Sequence, residues 1–109
     1  MITGILVKPR QQPEVIEFKE GYKELQRLVE GVFEMPSIFP DVDVVINEEG
    51  KFNGSEPNRF LFYKGRLLDI LYGNILLVDG DEEGNTISLS PEKISKYLKI
   101  FRSDHIYLP

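Results

Sequence analysis

The stretch from Val42 to Arg59, VDVVINEEGKFNGSEPNR, constrains the chain more than any other. It opens as a strand: Val42, Val44 and Ile46 alternate with Asp43 and Asn47, and Val45 breaks the strict alternation. Asn47-Glu48-Glu49-Gly50 then reads as a turn, because glycine reaches positive φ at little cost and asparagine tolerates it. Gly54 to Arg59 is expected to form a second turn or the start of a short helix. No other segment sets glycines, asparagines, carboxylates and an arginine so close together.

The flanks supply the rest of a fold. Met1–Lys8 reads as a strand, and Glu14–Phe18 as a second, with Ile16 and Phe18 facing inward. The short proline-bracketed connection between them predicts an antiparallel hairpin. Tyr22, Leu25, Leu28 and Val29 form one apolar stripe at helical spacing, and Gly31 is the expected stop. Val32–Met35 is a short strand, followed by a loop, Pro36-Ser37-Ile38-Phe39-Pro40. That loop either folds onto the core or leaves Ile38 and Phe39 as an exposed apolar lip. Phe60–Val78 is the most apolar segment, with a hairpin turn at Lys64-Gly65 and a strand from Asn74 to Val78. Residues 67–72 are readable as helix or strand, since periodicity cannot decide so short a run. A polar turn at Asp79–Asn85 leads to a strand at Thr86–Leu89. Ser90-Pro91 then opens a second helix, with Ile94, Tyr97, Leu98 and Phe101 along its apolar face. The tail from Asp104 to Pro109 is either an edge strand or frayed.

These elements predict a single α+β domain over residues 1–109. A mainly antiparallel sheet of about five strands is expected, with both amphipathic helices packed on one face. The expected core is Leu6, Ile16, Leu25, Leu28, Val44, Ile46, Leu76, Val78, Ile94, Leu98 and Phe101.

Charge and composition narrow the chemistry. The formal charge is −5 over 109 residues, so direct binding to nucleic acid is not expected. The same charge is thin for mimicry of nucleic acid, which stands as a minor alternative. There is no cysteine and one histidine, so neither an ordinary zinc site nor a cysteine–histidine nucleophile is available. No run approaches the ~18 apolar residues of a membrane span, and the absence of cysteine fits a reducing, cytoplasmic setting. Asp79-x-Asp81-x-Glu83-Gly84 starts like a calcium loop, but its twelfth position is Ser90 where a glutamate is required. Gly50-x-x-x-Gly54 lacks the lysine of a phosphate loop. No cofactor is implied.

Arg59 is the most informative single side chain. Its fork of donors suits a carboxylate or phosphate from a ligand. Equally, it can pair with an internal acid such as Asp69 or Asp79 and pin the loop. Asn47 and Asn58 are expected to close turns with their own side chains. Adjacent Glu48 and Glu49 point apart into water and make a poor catalytic pair.

Val44-Val45-Ile46-Asn47-Glu48-Glu49-Gly50-Lys51, followed by Pro57-Asn58-Arg59, resembles the signature of the domain-of-unknown-function family numbered 3846. Asp69-Ile70-x-x-Gly73-Asn74-x-Leu76-x-Val78 is similar to that family's second block, where threonine is usual in place of Asn74. The opening strand, the Leu25–Gly31 helix and the closing helix also fit, so the resemblance spans most of the chain. Ile38-Phe39-Pro40 lengthens the loop before the central strand, a second departure. The resemblance implies a small protein of phage, mobile-element or bacterial origin with no established activity.

The sequence therefore points to a non-catalytic module that binds an unidentified protein partner or a second copy of itself. Its candidate surface is Ile38, Phe39, Asn47, Glu48, Glu49, Asn58 and Arg59. The alternative is a small-ligand-binding domain built on the Asn47–Arg59 stretch.

Overall fold

Ile75, Leu76, Leu77 and Val78 are wholly buried, and a strand with both faces dry belongs in the middle of a covered sheet. The computed structural model describes residues 1–109. Its elements run β1 (Ile2–Val7), β2 (Glu14–Phe18), α1 (Tyr22–Val29), β3 (Phe33–Glu34), β4 (Asp43–Asn47), β5 (Pro57–Tyr63), β6 (Arg66–Tyr72), β7 (Ile75–Gly80), β8 (Thr86–Ile87), α2 (Pro91–Ile100) and β9 (His105–Leu108). The fold is α+β and mainly antiparallel. In place of one sheet of about five strands it has two sheets, of six and three strands.

The larger sheet has the order β2-β1-β7-β4-β3, with β8 paired to the far end of β7. The expected β1–β2 hairpin is present, with Ile2 opposite Phe18 and Leu6 opposite Glu14. Central β7 pairs β1 through Ile5↔Leu77 and β4 through Val44↔Leu77.

Side-chain alternation sorts this sheet into two dry faces. Ile5, Val7, Val44, Ile46, Ile75 and Leu77 face one core, while Ile2, Leu6, Val45, Leu76 and Val78 face the other. Val45 breaks the sequence alternation because β4 is covered on both sides. The helices accordingly lie on opposite faces and not on one. Leu25, Leu28 and Val29 of α1 close the second core, and Tyr97 of α2 with Phe101 just beyond it closes the first. Two apolar faces each need a cover, so one helix goes to each.

The smaller sheet has the order β6-β5-β9. Lys64 (φ 49°) and Gly65 (φ 78°) are both left-handed, the backbone that a tight two-residue hairpin requires. Residues 67–72 are thus strand. β9 is an edge strand parallel to β5, with Phe60 beside His105 and Phe62 beside Tyr107. Pro57–Arg59 begins β5 and is neither turn nor helix. Leu61, Leu71 and Ile106 turn inward and join the core under α2. The molecule therefore has three layers: α1, the large sheet, and a layer shared by α2 and the small sheet.

Local signals behave as their chemistry dictates. Ser90 caps α2, its Oγ accepting from the Lys93 amide at 3.2 Å. The first helix stops where expected, but the left-handed residue is Glu30 (φ 63°), one before Gly31. Of the expected core, Ile16, Ile94 and Leu98 are only half-buried. Tyr22 is exposed at the head of its stripe and rests on the Phe33 ring, 5.0 Å between centroids. No helix is long and apolar enough to cross a membrane.

Candidate functional site

Three polar residues of the central stretch go inward. Asn47, Asn58 and Arg59 are the only polar or charged residues that are fully buried. A buried polar group is costly unless every donor is used, and here they are. The Arg59 Nε and one terminal nitrogen donate to the Phe101 carbonyl at 3.1 and 2.7 Å. The same terminal nitrogen also reaches the Gln11 carbonyl at 3.0 Å. The other nitrogen donates to the Asn58 carbonyl and to Asn58 Oδ1, at 3.2 and 2.7 Å. Neither expected acid is its partner: Asp69 is held by Lys51 and Asp79 by Lys93. Burial pulls the guanidinium pKa below its ordinary value, and the Asp104 carboxylate acts in the other direction.

The asparagines are cross-braces. Asn58 Nδ2 donates to the carbonyls of Val7 (2.9 Å) and Gly73 (2.7 Å), tying β5 to β1 and to the turn after β6. It closes no turn of its own. Asn47 does close one, since its Oδ1 accepts from the Glu49 amide at 2.8 Å. Its Nδ2 also donates to the Val29 and Glu30 carbonyls at 3.2 and 3.1 Å, and Asn74 Nδ2 donates to the Leu28 carbonyl at 3.1 Å. These carbonyls end α1, where no intrahelical donor exists. Gly50 is buried in the turn, where a Cβ would lie 3.2 Å from the Tyr72 carbonyl, a tight contact. Glu48 and Glu49 point into solvent at the tip. No buried side-chain nitrogen or oxygen in the molecule lacks a partner, so Asn47, Asn58 and Arg59 offer no free donor to a ligand.

A model described as domain of unknown function (DUF3846) matches residues 2–102. The chain belongs to the DUF3846 family. No curated protein and no solved structure matches it. Within this DUF3846 chain the Asn47–Gly50 and Pro57–Arg59 blocks hold backbone carbonyls of α1, β1, the β1–β2 connection and the end of α2. Asn74 reaches the end of α1.

Ile38 and Phe39 lie elsewhere. The loop folds onto the core: the Phe39 ring meets Tyr97 edge-on at 5.2 Å and Phe101 at 5.9 Å. Both side chains remain half-buried and form one wall of an apolar groove of about 670 Å³. Tyr97 and Ile100 of α2 and Ile106 and Leu108 of β9 line much of the remainder, with polar atoms from Tyr63, His105 and Tyr107. The polar groups of the α2 wall are already engaged. Asp41 accepts hydrogen bonds from the Tyr97 hydroxyl and from Lys96. The hydroxyl and Lys96 hold the Asp41 carboxyl below its ordinary pKa, and burial with this hydrogen bond raises that of Tyr97. The seven-residue surface expected from the sequence is thus not one surface. Ile38 and Phe39 belong to the groove, Glu48 and Glu49 to an exposed turn, and the other three to the interior. The α2 and β9 walls carried no separate sequence signal, because their residues read only as a helix stripe and a tail. Leu108, Tyr107 and His105 lie beyond the span that DUF3846 matches.

Proposed function

We propose that this DUF3846 protein is a non-catalytic interaction module that seats an apolar segment of a partner protein in the Ile38–Phe39 groove. The groove itself carries the reading. Small-molecule sites combine apolar walls with a few free, convergent polar groups; here Tyr97 and Lys96 on the α2 wall are tied to Asp41, and the polar atoms left are those of Tyr63, His105 and Tyr107. A cleft lined mainly by apolar side chains suits an apolar side-chain anchor. Acidic turns at Glu48–Glu49 and Asp81–Glu83 would steer a basic partner toward it. The lone histidine is exposed, with its nearest carboxylate, Asp104, 3.9 Å away, which supports association over acid–base turnover. The family resemblance supports a cytoplasmic setting in a bacterial host of phage or mobile-element type. The test is capture from such a host with the parent chain and with Leu108→Glu, both checked for melting. A partner held by the parent and lost with the variant is the expected result. A metabolite that raises the melting temperature of the parent but not of the variant would overturn the reading in favour of a small-ligand site.

A further inference from the structure

Every residue from His105 to Pro109 lines the groove. One face of a strand supplies only alternate residues, so the groove runs along the outer edge of β9. That edge is unpaired, because β9 ends the β6-β5-β9 sheet. The Phe60 amide donates to the Asp104 carbonyl at 2.8 Å, and Phe60 and Phe62 lie beside His105 and Tyr107. A parallel ladder uses the backbone groups of alternate residues, so Asp104, Ile106 and Leu108 turn theirs to β5. His105 and Tyr107 turn theirs outward. The His105 amide is taken by Ser103 Oγ at 3.1 Å. The His105 carbonyl, the Tyr107 amide and the Tyr107 carbonyl are left along the groove, a donor between two acceptors.

Edge strands are normally guarded by extreme shortness, charge, proline or a bulge. The other edges here are guarded. β3 and β8 have two residues each, β2 carries Glu14 and Glu17, and β6 carries Arg66 and Asp69 and pairs β5 with register shifts. β9, His-Ile-Tyr-Leu, has none of these guards within it, and its register with β5 is regular. An open ladder beside an apolar trench is complementary to an extended peptide. Its backbone supplies the missing partners, and its alternate side chains fall into the groove. A helix has its backbone groups bonded internally and brings none to the edge.

Charge selects the composition of that peptide. No carboxylate side chain lines the groove, and Lys96 in its wall is paired with Asp41. At the Leu108 end, Tyr63 lies opposite Arg66 on the groove side of the sheet, and the Lys64 ammonium sits 5.3 Å from the centre of the Tyr63 ring. Lys64 and Arg66 are exposed and make no ion pair. Two cations without counter-charges complement carboxylates on the occupant. Glu48–Glu49 and Asp81–Glu83 are not part of the groove lining, so a partner that is basic overall still meets cations at its seat. A second copy would pair only through its own β9, which lies in a trench of the same shape, and two trenches leave each other empty. We infer that the groove takes an extended acidic–apolar segment of its partner, added as a strand to the outer edge of β9. Alternate apolar side chains turn toward Ile38 and Phe39, and carboxylates lie beside Lys64 and Arg66. The inference rests on the reading of the groove as the partner's seat.

Selection from a displayed library of random peptides, on the full chain and on Leu108→Glu, tests it. Peptides held by the parent and lost with the variant are expected, with apolar residues at every second position and aspartate or glutamate at one end. One such peptide is then synthesised, labelled and followed by fluorescence anisotropy. N-methylation of one alternate set of its amides weakens binding about tenfold or more, and N-methylation of the other set leaves it near the starting affinity. Lys64→Glu with Arg66→Glu weakens the acidic peptide but not its counterpart with asparagine and glutamine. Both positions are exposed, so the melting temperature stays near that of the parent. If no Leu108-dependent peptide is enriched, the groove reading falls and this inference with it. Leu108-dependent peptides with helical spacing, or equal tolerance of both methylation patterns, leave the groove reading standing and overturn strand addition. Parental affinity in the charge-reversed chain overturns it also. So does self-association that Leu108→Glu abolishes in a chain that enriches no peptide.

Discussion

Arg59 places two of its donors on one oxygen, the Phe101 carbonyl at the end of α2. A side chain on β5 thereby fixes where the second helix stops. Arg59→Ala leaves that carbonyl and Asn58 Oδ1 without their donors inside the core. The expected loss is about 2–4 kcal/mol, read as a lower urea midpoint. Arg59→Lys recovers part of it at most, because an ammonium cannot reproduce the fork. Parental stability in Arg59→Ala would show that the guanidinium is not a brace.

Asn47 acts in the same way on α1. Asn47→Ala frees the Val29 and Glu30 carbonyls and the Glu49 amide, at an expected cost of about 1–3 kcal/mol. Gly31→Ala should approach it, since a Cβ there would sit 2.7 Å from Asn47 Nδ2. If the two changes together cost the sum of their separate effects, they act independently and this coupling is absent.

Acid should loosen the groove wall. The folded pKa of Asp41 lies below its ordinary value, chiefly because the Tyr97 hydroxyl donates to it and then because Lys96 does. A depressed carboxylate stabilises fully above its unfolded pKa, and that contribution is lost as pH falls through the folded pKa. Tyr97 has the opposite sign: its raised pKa stabilises below the ordinary phenol value and is lost only as strong alkali approaches. Asp41→Asn should therefore flatten the fall of the urea midpoint below pH ~4. An unchanged acid limb would remove Asp41 from the account.

Core truncations should separate the two helices' neighbours. Leu76 is fully buried in the centre of the large sheet, whereas Leu98 on α2 is half-buried. Leu76→Ala is expected to cost about 3–5 kcal/mol and Leu98→Ala about 1–2 kcal/mol. Equal losses would contradict the layering. Phe39 bears on Tyr97 and Phe101, so changing Ile38 and Phe39 together to serine costs stability as well as groove surface. Leu108 is the better probe of binding.

Elements that declare themselves locally were legible in the sequence. The β1–β2 hairpin, both helices, the Ser90 cap and the Lys64-Gly65 turn all follow from side-chain spacing or turn chemistry. Long-range pairing was not. Nothing local in Asp104–Pro109 says that it joins β5 as a parallel strand. The second sheet, the opposite placement of the helices and the groove all depend on such pairings. Val45 was the visible trace of two-sided burial, and it read only as an irregularity. Asn58 and Arg59 misled for a related reason: polar residues beside a proline look like a loop, and only the carbonyls of distant segments make them interior.

The placement of β7 between β1 and β4 governs how the chain can assemble in time. Its partners lie some seventy residues away at Ile5 and about thirty at Val44. On a ribosome, neither half of the large sheet has its middle until β7 has emerged. The first hairpin and α1 must wait with their apolar faces open. Chains dominated by such distant pairings fold in milliseconds to seconds, so the interval between synthesis of α1 and arrival of Ile75–Val78 is when this molecule is most exposed to aggregation.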